Sequence, residues 1–228
     1  MRPILGVAIP AAGGGVRMGG ARKPFLELAG EPLLLHSLRP FLEHPQLGSV
    51  VIALGAQDHG SPPSWLKELD PRVRLVLGGA SRGESVWCAL QALPTSVDLV
   101  AVHDAARPLM DRSIIDRCLE AVGPTRGAVA GWPAVDTLKT VEPDNTVSET
   151  LTRARIWHAQ TPQIFPRDLL FRAYESAMSV GISDTDDAAL VERLGGEVRM
   201  VPGSPENLKV TRPEDLPLAE HYLRQRGR

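Results

Sequence analysis

The sequence predicts an α/β protein: one mostly parallel sheet sandwiched by helices. Three observations carry that expectation. Short β-rich runs alternate with helical stretches through the first half of the 228 residues. Those runs are continuously apolar, as strands covered on both faces should be, rather than alternating apolar and polar. Small-residue or acid-bearing loops follow several of them, where the ligands of such sheets gather, at the carboxyl ends of the strands.

The elements follow in order. Ile4–Ile9 reads as the first strand, and its apolar run is too short for a signal peptide. Val50–Leu54, Val73–Leu77 and Leu99–His103 are the next strands; Pro32–Leu42, Glu84–Leu93 and Ser113–Val122 are the helices between and after them. This βαβα rhythm is Rossmann-like. The rhythm breaks at Gly131. From Trp132 to Trp157 the residues favour extended structure, with Val135, Thr137, Thr140 and Val141 before Pro143-Asp144-Asn145, and Thr146, Val147, Thr150 and Leu151 after it. Pro presets φ and Asn tolerates left-handed geometry, so this is a hairpin arm with its turn at 143–145. An isolated hairpin is marginal in water, which predicts that the arm packs on another subunit. Helices return at Pro166–Ser179, Thr185–Leu194 and Pro213–Arg226, with a strand near Val198–Val201. Residues 1–228 are expected to form one domain, with residues 132–157 as a dimerisation arm.

Composition narrows the function. A formal charge of −2, from 25 Lys+Arg against 27 Asp+Glu, lacks the basic excess that nucleic acid or a membrane surface favours. No apolar stretch approaches the about 20 residues of a membrane helix. The two cysteines, Cys88 and Cys118, fall in helical segments and are expected to be free thiols in a reducing cytoplasm.

The strongest local feature is the run from Pro10 to Gly20, which includes Ala11, Ala12, Gly13, Gly14, Gly15 and Arg17, with Lys23 just beyond. Glycines let successive amides approach an anion without a Cβ in the way. No Lys-Ser or Lys-Thr follows the last glycine, so this is no Walker loop. Met18 stands where a dinucleotide-binding G-x-G-x-x-G needs its third glycine. Asp104 directly follows an apolar strand. It either meets Mg²⁺ near a nucleotide, directly or through water, or caps the next turn. Phosphoryl transfer does not require a histidine, so His103 and His158 rank below it. Lys209 lies just ahead of the last helix, with Thr211 as its expected cap and Pro213 in its first turn. Alone, Lys209 reads equally as a solvated surface lysine.

Together these segments resemble a known family. The Pro10–Gly19 loop with Lys23, and Gly78-Gly79 with Ser85-Val86, are similar to the nucleotide-binding segments of sugar-phosphate nucleotidyltransferases. His103–Pro108, Trp157–Gln163 and Asn207–Leu216 narrow the resemblance to the 2-C-methyl-D-erythritol 4-phosphate cytidylyltransferases, over essentially the whole chain and in the family's order. The resemblance implies transfer of CMP from CTP to 2-C-methyl-D-erythritol 4-phosphate (methylerythritol phosphate), with release of pyrophosphate, in non-mevalonate isoprenoid synthesis. It also implies Mg²⁺ or another divalent cation, and a homodimer whose exchanged arms complete each other's sites. Arg17 and Lys23 match the pair that stabilises the transition state. Lys209 and Arg153 match the residues that position the acceptor phosphate, with Thr137 and Arg107 beside them. Ala11, Ala12, Gly13, Gly15, Gly79, Ser85, Asp104 and Ala105 match positions around the cytidine and its phosphates. The chain departs from the family pattern at Gly14, where a bulky residue is common; at Pro24 after the loop lysine; and at Ala80, often an acid. Arg155 lies close enough to Arg153 to exchange roles with it under a small register error. Related readings are a ribitol-5-phosphate cytidylyltransferase and a non-catalytic nucleotide-binding module.

The acceptor phosphate is already ionised near neutral pH, so catalysis is expected to come from positioning and electrostatics, without a protein nucleophile. Losing one preorganised donor typically costs about 10²–10³ in rate. Lys23→Ala is therefore expected to lower kcat by that order with the fold intact. Steady-state kinetics beside a circular-dichroism melt check this, and near-normal turnover would remove Lys23 from the mechanism.

Overall fold

The structure is a computed structural model that describes residues 2–13, 22–181 and 186–227. The chain opens with β1 (Leu5–Ala11), then the two-residue strands β2 (Glu27–Leu28) and β3 (Glu31–Pro32), α1 (Leu33–Leu42) and β4 (Leu47–Leu54). Two short helices, α2 (Ala56–Gly60) and α3 (Ser64–Lys67), precede β5 (Val73–Leu77). Next come α4 (Arg82–Ala92), β6 (Leu99–Val102), α5 (Arg112–Ala121) and β7 (Arg126–Pro133). The hairpin strands β8 (Lys139–Val141) and β9 (Val147–Thr150) lead into β10 (Trp157–Pro166). The chain closes through α6 (Arg167–Ser179), α7 (Asp187–Arg193), β11 (Glu197–Pro202) and α8 (Asp215–Gln225).

The central sheet has seven strands in the order β11-β7-β10-β6-β1-β4-β5. β5, β4, β1 and β6 pair in parallel, β10 runs antiparallel to both β6 and β7, and β11 is parallel to β7. Only β10 therefore opposes the rest, as a mostly parallel sheet allows.

The period of two along each strand sorts side chains to opposite faces. Val7, Ile9, Val50, Ile52 and Ala101 pack with Leu34, Leu38 and Phe41 of α1 and with Ile114, Ile115 and Cys118 of α5. Ala8, Val51, Ala53, Val100 and Val102 face the other way, toward α4, α6 and α7. The apolar runs of β1, β4 and β6 are thus strands covered on both sides, whereas β5 is an edge strand with Arg74 and Leu77 exposed. Burial pushes the Cys118 thiol up to about 12, and both cysteines are free.

Two strands of this sheet were not among the sequence expectations. β7 carries Gly127 and Gly131, and β10 carries His158, Gln160, Thr161, Pro162 and Gln163, a composition that hides a buried strand. Their ladder also redraws the arm's base. Trp132 and Pro133 pair with His158 and Trp157, so the arm's first and last residues belong to the central sheet. Beyond them β8 and β9 form the expected hairpin. Its turn holds Asn145 at φ 66°, and the Asp144 carboxylate accepts the Thr146 N–H at 2.9 Å. Every residue of β8 and β9 is exposed.

The start of the last helix differs from expectation. Thr211 does not cap it with its hydroxyl. The Asp215 carboxylate instead accepts from the Thr211 N–H (2.6 Å), the Thr211 hydroxyl (3.0 Å) and the Arg212 N–H (2.9 Å). An ionised side chain satisfies several donors at once, which a lone hydroxyl cannot.

Gly127 carries a packing constraint. A Cβ built there would sit 2.1 Å from Cδ1 of the fully buried Phe165 ring on β10. Overpacking of this kind costs about 1–3 kcal/mol, and each kcal/mol moves Tm by roughly 2–4 °C in a chain this long. Gly127→Ala is expected to lower Tm by several degrees in a thermal melt. An unchanged Tm would mean that the ring moves freely.

Candidate active site

The order of the strands reverses at β1: the chain moves outward through β4 and β5, then returns to place β6 on the other side. Such a switch point opens a crevice at the strand ends. Here it is a cleft of about 500 Å³, lined by Pro10–Gly13 at the end of β1, Gly79–Arg82 after β5, Asp104–Ala106 after β6, and Ser85, Pro24 and Lys209. That volume lies within the range of small-molecule and cofactor sites.

One wall is built from backbone. The first-turn residues of α4 satisfy their own donors: the Ser81 hydroxyl accepts the Glu84 N–H, and Glu84 reaches back to accept the Ala80 N–H at 2.7 Å. This is a variant of the capping box. Ser85 accepts the Gly79 N–H and donates to the Ser81 carbonyl, so its hydroxyl clamps the loop. Gly78 lies where the loops after β1 and β5 meet; an added Cβ would fall 2.6 Å from Ala12 Cβ. Only glycine permits that approach.

The floor is built from charge. The Asp104 carboxylate, 9% exposed, faces Lys209 Nζ at 2.8 Å, Arg82 Nε at 3.1 Å and Arg107 Nε at 3.5 Å. It does not cap the next turn. Burial alone would raise its pKa, but Arg82, Lys209 and Arg107 outweigh burial and hold it well below the usual carboxylate range. Arg82 also forks onto Asp187, at 3.1 and 2.7 Å. Among the described lining residues two cations, Arg82 and Lys209, thus face one carboxylate, Asp104, in a cleft otherwise lined mostly by small residues. An anion is the ligand such a cleft suits.

Lys209 owes its position to long-range bonds rather than to regular structure. The Val210 N–H donates to the Ala106 carbonyl at 2.8 Å, and the Asn207 carbonyl accepts from Arg107 at 2.8 Å. The fully buried Asn207 side chain donates to the Thr161 carbonyl and to Gln160.

The structure brings Ala11, Ala12, Gly13, Gly79, Ser85, Asp104, Ala105 and Lys209 to this one cleft. Arg107 lies beneath it, holding Asn207. Thr137 and Arg153 do not line it; both are exposed on the arm, where Arg153 donates to the Val135 carbonyl at 2.6 Å. Arg155 and His158 are exposed as well. Gly15 and Arg17 lie outside the described residues, and of Lys23 only the backbone is described, in a single 3₁₀ turn. Its neighbour Arg22 pairs with Asp58 of α2. The sequence reading missed Arg82 and its partner Asp187, 105 residues away. The one available signal was the helix start at Ser81.

A sequence model of the 2-C-methyl-D-erythritol 4-phosphate cytidylyltransferase family matches residues 5–225. The chain belongs to that family. A cytidylyltransferase of this name from Symbiobacterium thermophilum is 45% identical over 97% of this chain and 94% of its own length. One from Solibacter usitatus is 43% identical over 96% of this chain and 95% of its own. The crystal structure of the Thermus thermophilus cytidylyltransferase, 34% identical, superposes with a TM-score of 0.80, covering 98% of this chain and all of that one.

His103 belongs to the scaffold. It is fully buried, its Nε2 faces the Arg107 carbonyl at 3.3 Å, and its Nδ1 faces the Thr161 hydroxyl at 3.0 Å. The carbonyl can only accept, so Nε2 carries the proton and Nδ1 accepts from Thr161, whose oxygen in turn accepts the Asp104 N–H. Burial lowers the imidazole pKa to about 4. In the unfolded chain it titrates near about 6.5. Between those values only the unfolded state binds the proton, so stability is full above the upper one and is lost as pH falls toward the lower, by about 3 kcal/mol. Denaturant titrations from pH 7 to 4 should show this loss, and His103→Asn should flatten the slope whatever its stability at pH 7. Parallel slopes would show His103 protonated in the fold.

Proposed function

We propose that this cleft binds CTP against the glycine-lined wall, and that Lys209 aims the methylerythritol phosphate at the α-phosphorus. The activity follows from family membership: CMP passes from CTP to 2-C-methyl-D-erythritol 4-phosphate, in isoprenoid precursor synthesis. The acceptor phosphate oxygen forms the new bond to the α-phosphorus as the bond to pyrophosphate breaks. Both partners are anions. The chain's task is to hold them in line and to spread the charge that builds between them. The observation that carries this reading is the convergence of Lys209 and Arg82 on Asp104, at the end of the cleft's charged floor.

In this reading Arg17 and Lys23 hold the α-phosphate and the leaving pyrophosphate, and Ala11, Ala12, Gly13, Gly15, Gly79, Ser85 and Ala105 surround the nucleotide. A divalent cation would meet Asp104 through water, because both carboxylate oxygens already face Lys209, Arg82 and Arg107. Among the described residues Asp104 is the one carboxylate lining the cleft, and no cluster of three His, Cys, Asp or Glu forms a metal cage. Mg²⁺ suits such a place, since it keeps several waters and takes one or two carboxylates plus substrate phosphates. Bound there, the cation would neutralise phosphate charge, and Asp104 would orient it through water. Free Cys88 and Cys118 fit a cytoplasmic setting, and no helix among the described residues is long and apolar enough to cross a membrane.

The acceptor side rests on a homodimer. Val135, Val141 and Val147 on the arm are each more than half exposed, an apolar face that a second copy would cover. Arg153, Thr137 and, beneath the cleft, Arg107 then complete the acceptor site, with Arg153 and Thr137 reaching the partner's cleft.

Pyrophosphate release from CTP with methylerythritol phosphate, with ribitol 5-phosphate and with neither tests the assignment; release only with the first is expected. A charge-assisted hydrogen bond is worth about 1.5–3 kcal/mol. Arg153→Ala should therefore raise KM for methylerythritol phosphate roughly 10–100-fold. Mixing Arg153→Ala with Lys209→Ala protein should restore activity that neither has alone. Failure to complement would place each arm on its own cleft.

A further inference from the structure

The geometry points to Arg82 as a positioning residue for cytidylyl transfer, tying Asp104, and through it Lys209, to a buried anchor formed by Asp187 and Tyr174. Arg82 is the first residue of α4, and all three of its nitrogens are committed to carboxylates. Nε takes Oδ1 of Asp104, while the two terminal nitrogens fork onto both oxygens of Asp187. Asp187 is fully buried and also accepts the Tyr174 hydroxyl at 2.5 Å. Tyr174 is itself buried and stacked on Trp87, with rings 6.1 Å apart and 2° from parallel. The α7 backbone beside it is held as well, since the Ala188 N–H donates to Gln163 on β10 at 3.0 Å. Asp187 therefore has little freedom to move, and neither does the guanidinium clamped to it.

This matters because the two oxygens of Asp104 face different partners. Oδ1 faces Arg82, whereas Oδ2 faces Lys209 and Arg107. With Oδ1 pinned, the carboxylate cannot pivot, and Lys209 meets a fixed counter-charge at the edge of the cleft. With Oδ1 released, the carboxylate follows Lys209, and the ammonium is no longer aimed at one point. A lysine at position 82 cannot replace the fork, because it presents a single point charge to two carboxylates on opposite sides. Arg82 thus acts on the reaction through Lys209 without reaching the reacting atoms.

The inference rests on the reading of Lys209 as the group that aims the acceptor phosphate, and a double-mutant cycle separates the two. Arg82→Lys should lower kcat by about 10-fold or more, while KM for CTP stays within about 2-fold. In a Lys209→Ala background the same substitution should cost almost nothing. Tyr174→Phe keeps every charge and loosens only the anchor. It should lower kcat about 3-fold, an effect that also disappears in Lys209→Ala, and it serves if Arg82→Lys does not fold. Rates are compared at equal folded protein, set by far-UV circular dichroism and a melt. If the losses multiply in Lys209→Ala, or if KM for CTP rises with the loss, Arg82 is structural or binds the nucleotide itself, and the inference falls. If Lys209→Ala alone turns over normally, it is the Lys209 reading that fails.

Discussion

A buried carboxylate held among three cations is the constraint on which the site depends. Asp104 sits where water is scarce, and burial penalises its charge; Arg82, Lys209 and Arg107 outweigh that penalty and keep it ionised. The dependence runs both ways. Burial works against the charge of Arg82 as well, and Asp187 and Asp104 raise its pKa above that of an ordinary guanidinium. Breaking one partner out of such a cluster strands the others in low dielectric, which is why clusters like this are stiff. Stiffness is what a reaction between two anions needs, because positive charge fixed in advance costs no reorganisation when the transition state forms.

The fold exists around this cluster for topological reasons. β1 and β6 are neighbours, yet the chain visits β4 and β5 between them. Their ends therefore bring together a glycine loop, a helix start and an acid from three distant stretches of sequence. β10, the one reversed strand, supplies the rest. Its register breaks between Ala159 and Gln163, and there Gln160 and Thr161 hold Ser204, Asn207 and the Asp104 backbone. Lys209 follows Asn207 by two residues. The loop that carries the lysine is thus docked by buried polar bonds, and these fix geometry more sharply than apolar contact does.

What the sequence revealed follows from how local each signal was. β1, β4 and β6 were readable because strands covered on both faces are apolar throughout, and β5 because its run is mostly β-branched and aliphatic although it lies at the sheet's edge. The hairpin was readable because Pro143, Asp144 and Asn145 each have a backbone reason to turn. β7 and β10 were not, since Gly127 leaves room for Phe165 and the polar residues of β10 are satisfied only by partners far along the chain. Thr211 looked like the cap of the last helix because its residue type caps helices, and only coordinates show that Asp215 reaches back to it instead. Arg82 lay just ahead of the expected helix Glu84–Leu93 and drew no attention. Nothing near it in sequence announces Asp187, and ion pairs across 105 residues leave no periodic trace.

The cleft of a single chain is uneven, and that unevenness bears on the proposed dimer. The side proposed for the nucleotide has walls of backbone and small side chains closed by the Ser81–Ser85 clamp. On the side proposed for the acceptor, Lys209 is the one cation of the cluster whose side chain is more than a third exposed; Arg82 is 22% exposed and Arg107 11%. The latter two are occupied with carboxylates and carbonyls, so they shape the site more than they meet a ligand. A phosphate dianion held by one mobile ammonium would be poorly aimed, since a point charge fixes distance but not direction. An arginine fork supplies direction, and Arg153 and Arg155 sit on an exposed arm that has apolar valines but no core of its own. An arm that gains stability by docking on a second copy, and brings a guanidinium as it docks, would resolve both deficits by the same contact. Assembly and acceptor binding would then be coupled, and dilution below the dimer's dissociation constant would weaken the hold on methylerythritol phosphate before that on CTP.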